Sequence, residues 1–184
     1  MIEAARQLLV EHGPRGVTVD AVSERSGVAK STMYRHFASR TELMAELVRS
    51  CMPDLPLPDV SAGFEACLRA HVGDVVEALS EDSYALTIGA LVTLRRQMPE
   101  LEATVEAERA DKLAVLDAIV LLGRTEGRID DSIDAERLTS LVLGPLVFEA
   151  TFARSPHTSS DEHAAHMREL ADDVVDRFLV SLSR

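Results

Sequence analysis

Residues Lys30, Ser31, Thr32, Tyr34, Arg35 and His36 put an ammonium, two hydroxyls, a phenol, a guanidinium and an imidazole around a single methionine, Met33. On a helix advancing about 100° per residue, Met33 and Phe37 share one face. Ser31 and Arg35 then lie nearly opposite, with Thr32, Tyr34 and His36 on the flanks and Lys30 at the start. Such groups bond phosphate oxygens and base edges. Their chemistry is recognition of a polyanion, not bond breaking. Elsewhere there is no Gly-rich phosphate loop, nucleophile elbow or zinc-protease signature, so an enzyme is not expected. His163 and His166 stand three apart, with His157 and Glu162 nearby. That arrangement reads as a surface histidine cluster, and no metal or other cofactor is expected. Cys51 and Cys67 lack metal-type spacing and have no basic neighbours to activate a thiolate. They read as reduced, partly buried small residues.

The polar cluster needs a frame, and the flanking residues supply one. Thr18 is suited to cap a helix through its hydroxyl. Val19 and Val22 face inward, Ser26-Gly27 ends that helix in a turn needing positive φ, and Val28 returns to the core. A second helix starts near Ala29. Together Thr18 to Phe37 describe a helix-turn-helix, whose second helix enters the major groove of DNA. A preceding helix is predicted from about Ile2 to His12, stopped by Gly13-Pro14. Ser39 and Glu42 form a capping box opening a fourth helix to about Met52. Pro53, Pro56 and Pro58 then interrupt helical structure and mark a domain boundary.

Residues 2 to 48 resemble the DNA-binding domain of the tetracycline-repressor (TetR) family. The likeness rests on IEAARQLLVEHG and GVTVDAVSERSGVAKSTMYRHFASRTELMAELV, and within them on Gly13, Thr18-Val19, Gly27-Val28, Tyr34, His36-Phe37 and Ser39-Arg40. The resemblance implies phosphate contacts from Thr18, Tyr34, His36 and Arg40, and base contacts from Lys30, Ser31, Thr32 and Arg35. Ser31 departs from the small Gly, Ala or Pro frequent in the family, so base preference does not carry over. Many members carry a basic arm before the first helix. With the chain starting at Met1-Ile2, either this start is truncated or the protein manages without those contacts.

The charge is divided unevenly. Of 184 residues, 19 are Lys or Arg and 31 Asp or Glu, leaving −12. Residues 1–50 hold seven basic and six acidic groups, a net +1, while residues 51–184 hold twelve and twenty-five, a net −13. Clustering on one face, not net charge, sets a docking field. A +1 domain predicts weak non-specific DNA binding. Apolar residues make up 46% of the chain, enough for a sizeable core, yet no apolar run approaches a membrane span. The N-terminus lacks the pattern of a signal peptide, so the expected compartment is the cytoplasm.

Beyond the prolines the pattern stays helical: Ser61 to Leu79, Ser83 to Gln97, Pro99 to Leu122 ended by Gly123 and Gly127, a helix after Asp134 interrupted by Gly144-Pro145, and a last helix opened by a Ser159–Glu162 capping box. The expected fold is all-α with about nine helices. Residues 1–52 form a helix-turn-helix domain, 53–59 a Pro-rich linker, and 60–184 a ligand-binding and dimerisation domain. GRIDDSIDAERLTSLVLGPLVFEATF also resembles the family, whose last two helices pair across a homodimer. The resemblance implies a repressor that binds a near-palindromic, double-stranded operator and is released by a small ligand. Phe64, Leu68, Tyr84, Ile88, Leu91, Leu116, Ile119 and Phe148 are candidates to line an apolar pocket. His71 and Tyr84 add polar tips that could orient a ligand. The competing reading is a helical interaction protein, or a redox or metal sensor, with reduced DNA binding.

Overall fold

The computed structural model describes residues 1–51, 55–80, 94, 96–153 and 159–182. Among them every regular element is helical and none is a strand, so the fold is all-α. The chain divides into two compact units, Met1–Pro53 with Leu86–Arg109, and Asp54–Ala85 with Ala110–Arg184.

In the first unit, α1 (Ile2–Gly16), α2 (Val19–Ser26), α3 (Lys30–His36) and α4 (Arg40–Cys51) follow in order. Gly13 breaks α1 with φ of 67°, and the last turn through Pro14 to Gly16 continues on a new axis. Only a residue without Cβ takes that conformation cheaply. The core gathers Ala5, Leu8, Leu9, Val17, Val22, Met33, Leu43, Met44, Leu47 and Val48. Leu94, Met98 and Leu101, far along the chain, complete it. The start of α4 departs from an ideal capping box. Glu42 N–H donates to Ser39 Oγ at 3.1 Å, but the Glu42 carboxylate accepts from Ala38 N–H at 2.6 Å, one residue before the expected partner.

In the second unit, α5 (Phe64–Ser80) buries Phe64, Cys67, Leu68, His71, Val72, Val75, Val76 and Leu79. A 3₁₀ turn at Pro99–Leu101, assigned to the first unit, leads into α6 (Glu102–Thr125), of which Ala110 onward belongs to the second unit, and the missing proline N–H at that turn costs nothing. Gly123 does not end this helix, contrary to the sequence expectation. Gly127 does, at φ of 67°, with Arg128 N–H bonded to Gly123 O at 2.8 Å and Gly127 N–H to Arg124 O at 3.0 Å. That is the Schellman pattern, with glycine in the left-handed position. Gly123 serves packing instead: a Cβ there would stand 2.8 Å from the Phe64 ring and 2.9 Å from Ile129.

Asp134 caps the next helical run, α7 (135–153), by accepting from Arg137 N–H at 2.8 Å. Within it, π-helical turns at Thr139–Leu143 and Glu149–Ala153 flank an α-helical Gly144–Phe148. After Ala135, its buried residues Leu138, Val142, Leu146 and Ala150 are spaced by four. Such a row drifts around a helix of 3.6 residues per turn, and the wider i→i+5 turns hold it on one side. The Gly144-Pro145 pair is thus absorbed by widened turns. In α8 (Ser160–Ser181), the Ser159–Glu162 capping box is complete in both directions. Arg69 of α5 ties to α8 through Asp176 at 2.5 Å. No described helix is long and apolar enough to cross a membrane.

Candidate nucleic-acid interface

The recognition face is built from buried anchors outward. Met33 is fully buried and Phe37 nearly so, which fixes the rotation of α3 against the first-unit core. The helical period then turns Lys30, Ser31, Tyr34, Arg35 and His36 to solvent, with Thr32 half-buried. Tyr34 keeps 56% of its surface exposed. An aromatic side chain left open on a well-packed helix is available to a partner. The turn before α3 is held by Gly27 at φ of 69° and by Ser23 Oγ, which donates to Val28 O at 2.6 Å. Arg25 at the end of α2 reaches Glu11 of α1 at 2.6 Å, and this contact lowers the Glu11 carboxyl pKa.

Thr18 caps α2 as expected, its hydroxyl accepting from Ala21 N–H at 3.1 Å, and the residue is exposed. Thr18 and the exposed side chains of α3 thus lie within one helix-turn-helix, residues 18 to 39. Two of the sequence-predicted residues have intramolecular partners that the sequence did not indicate. Lys30 Nζ lies 2.8 Å from Asp20 Oδ1, and that bond raises the lysine pKa. Arg40 is half-buried and sends Nε–H to Val17 O at 2.8 Å and Nη2–H to Pro14 O at 2.6 Å. No sequence signal could have identified those carbonyls, since they lie 23 and 26 residues away.

The ligand candidates divide three ways. Phe64, Leu68, His71, Leu116 and Ile119 are buried in the second unit. Tyr84, Ile88 and Leu91 lie outside the described residues. Phe148 is corrected: it is 61% exposed, with its ring 5.5 Å from that of Phe152 on the outer side of α7. Leu146 is the buried residue of the same α-helical stretch, and two steps of about 100° put Phe148 nearly opposite it. Phe64 borders a depression of about 420 Å³ beside Glu65, Arg69, Glu126 and Arg128. Burial lowers the His71 pKa, with Asp74 opposing the shift, and its Nδ1 has no hydrogen-bond partner among the described residues.

The remaining chemical candidates disperse. His163 is buried while His166 is exposed and bonds Glu149 at 3.2 Å, and His157 lies outside the described residues. The Cys67 thiol is buried, donates to Asp59 O at 3.1 Å, and has its pKa raised by that burial. Such a thiol is a poor nucleophile.

Residues 1–47 match the family model described as bacterial regulatory proteins, tetR family. An uncharacterized HTH-type transcriptional regulator of Mycobacterium tuberculosis is 25% identical over 185 residues, an alignment covering 100% of this chain and 87% of that one. The fatty acid degradation regulator FadR of Bacillus halodurans superposes with a TM-score of 0.70 at 21% identity, over 95% of this chain and 92% of that one. The transcriptional regulator FadR of Bacillus subtilis, solved in complex with stearoyl-CoA, gives 0.65 at 17% identity, over 95% of each chain. These two structural likenesses establish the fold.

Proposed function

Starting from a chain that belongs to the tetR family of bacterial regulatory proteins and is a DNA-binding transcriptional regulator, we propose that it is a cytoplasmic repressor released by a small, largely apolar ligand. Residues 1–52 read DNA, 53–59 link, and 60–184 hold the ligand and pair two subunits. No catalytic step is part of this reading. The observation that carries it is the α3 face, with Met33 and Phe37 buried beneath exposed Tyr34, Arg35 and His36. Two such heads in a homodimer would meet half-sites about one DNA turn apart, roughly 34–36 Å. Pairing through α7 and α8 is supported by Leu141, Phe148, Phe152 and Val180, large apolar side chains left exposed on those two helices. For the ligand, the apolar burial around Leu68, Leu116 and Ile119 favours a hydrocarbon chain. A long-chain acyl thioester of the kind held by the Bacillus subtilis relative is the first candidate.

In vitro selection from random duplexes should enrich a near-palindrome. Tyr34→Ala should abolish binding to it at fixed salt while helicity and subunit stoichiometry stay unchanged. Stearoyl-CoA should release the duplex by its differential affinity for the two protein states. Enrichment of no sequence would remove operator reading, and full affinity in Tyr34→Ala would remove the assignment of α3. Binding undisturbed by acyl thioesters of any chain length would remove the ligand class alone.

A further inference from the structure

The guanidinium of Arg40 does not stand ready for DNA as the family likeness implies. It is forked into two backbone carbonyls, Val17 O through Nε–H at 2.8 Å and Pro14 O through Nη2–H at 2.6 Å. Pro14 O also accepts from Val17 N–H at 3.2 Å, so the fork grips a turn that is already hydrogen-bonded. Pro14 and Val17 are both buried. Thr18, the next residue, caps α2. Arg40 is itself the first residue of α4. The whole reading head, residues 18 to 39, therefore lies between the two ends that this side chain joins.

We propose that Arg40 is a positioning residue that closes the helix-turn-helix at its neck. It holds the start of α2 and the start of α4 in one geometry, so that Thr18 and the α3 face meet DNA together. The fork needs the planar, two-pronged donor set of arginine, and a lysine would supply the same charge without that geometry. Because two of its nitrogens are committed to backbone, its contribution to specificity runs through the residues it aligns. The proposal rests on the DNA-reading assignment of α3, and its test separates the two.

Arg40→Lys and Arg40→Met would be compared with the unsubstituted chain and with Arg35→Ala. The probes are the duplex enriched by selection and a random-sequence duplex of equal length, each titrated across salt concentrations. Positioning predicts that both Arg40 variants lose roughly tenfold on the selected duplex, the scale of one charge-assisted hydrogen bond. The loss on the random duplex should be smaller, so the specificity ratio falls. The slope of log affinity against log salt should stay as in the unsubstituted chain. Arg35→Ala, as a direct contact, should show its effect on the DNA without disturbing the free protein. In the absence of DNA, amide exchange at residues 17–21 and 30–36 should be faster in both Arg40 variants and unchanged in Arg35→Ala. A phosphate role would instead leave Arg40→Lys near full affinity and reduce the salt slope of Arg40→Met by about one contact, and that result would overturn positioning. Unchanged specificity in both variants, with only a lower melting temperature, would reduce the fork to a structural tie and also overturn it. Amide exchange needs no DNA, so it reports on the fork even if no duplex binds.

Discussion

At the scale of single residues, the exposed face proposed to read DNA carries its own counter-charge. Lys30 is at the start of the reading helix, yet its ammonium rests 2.8 Å from Asp20 Oδ1, with Glu24 adding to the same field. Both side chains are exposed, so the pair is weak and salt-screened. A phosphate can take Lys30 only by exchanging for Asp20, and the +1 of residues 1–50 offers little attraction to begin with. Asp20→Asn should therefore tighten binding to a random duplex by up to about fivefold at low salt, an effect the size expected of one exposed ion pair. The gain should shrink as salt rises. A fluorescence-anisotropy titration at two ionic strengths reads this directly, and equal affinities for the two chains would rule out the pair as a brake. The cluster of side chains on α3 was legible in the sequence because it depends on one helical period and two buried anchors. The partners of Lys30 and Arg40 were not, since each depends on how separate helices come together.

At the scale of elements, local signals predicted starts better than they predicted register. Thr18, Asp134 and Ser159 all cap as their side chains suggest, because an N-cap bond reaches only two or three residues along the chain. Gly123 misled for a physical reason. Glycine is a poor helix former, so it reads as a terminator, yet here it lies inside α6 where the Phe64 ring needs the space of a Cβ. Gly123→Ala should then destabilise the folded chain by about 1–3 kcal/mol, the usual cost of overpacking, despite alanine's better helix propensity. Denaturant titration would measure it. A neutral or stabilising result would mean that Phe64 has room to move. In α7 the four-residue spacing of buried side chains is legible in the sequence, whereas the π turns that sustain it are not. His71 on α5 gives this element a pH signature. Its folded pKa lies below the ordinary 6.5, chiefly through burial. As pH falls below that value the unfolded chain takes a proton that the folded chain refuses, so stability rises with pH across this window. His71→Phe should flatten the decline in melting temperature between pH 6.5 and about 5, above the range where ordinary carboxylates titrate. An unaltered slope would show that His71 protonates freely in the folded state.

At the scale of the whole molecule, the proline-marked boundary understated the first unit. Its core is completed by Leu94, Met98 and Leu101, side chains that follow the prolines by some forty residues. Hydrophobic spacing says that those residues are buried, but not against which helices, because periodicity carries no information about partners. The acidic balance has a similar logic. Its −13 lies beyond residue 50, so the reading head is not itself strongly anionic. With so modest a charge on each head, one subunit would gain little from phosphate neutralisation, and in the proposed homodimer affinity would depend on engaging two half-sites at once. Linking two binding modules raises overall affinity by about 10²–10⁴ over either alone. The exposed rings of Phe148 and Phe152 on α7 are the most direct handle on that linkage. Carboxylates there would bring like charges together across a two-fold interface, because the same patch faces itself. Phe148→Glu with Phe152→Glu should therefore give a monomer in sedimentation analysis, with helicity retained. Its affinity for the selected palindrome should fall at least about 100-fold, toward its affinity for a single half-site. A persistent dimer would place the pairing surface elsewhere, and a monomer that still held the palindrome at full strength would mean that one head suffices.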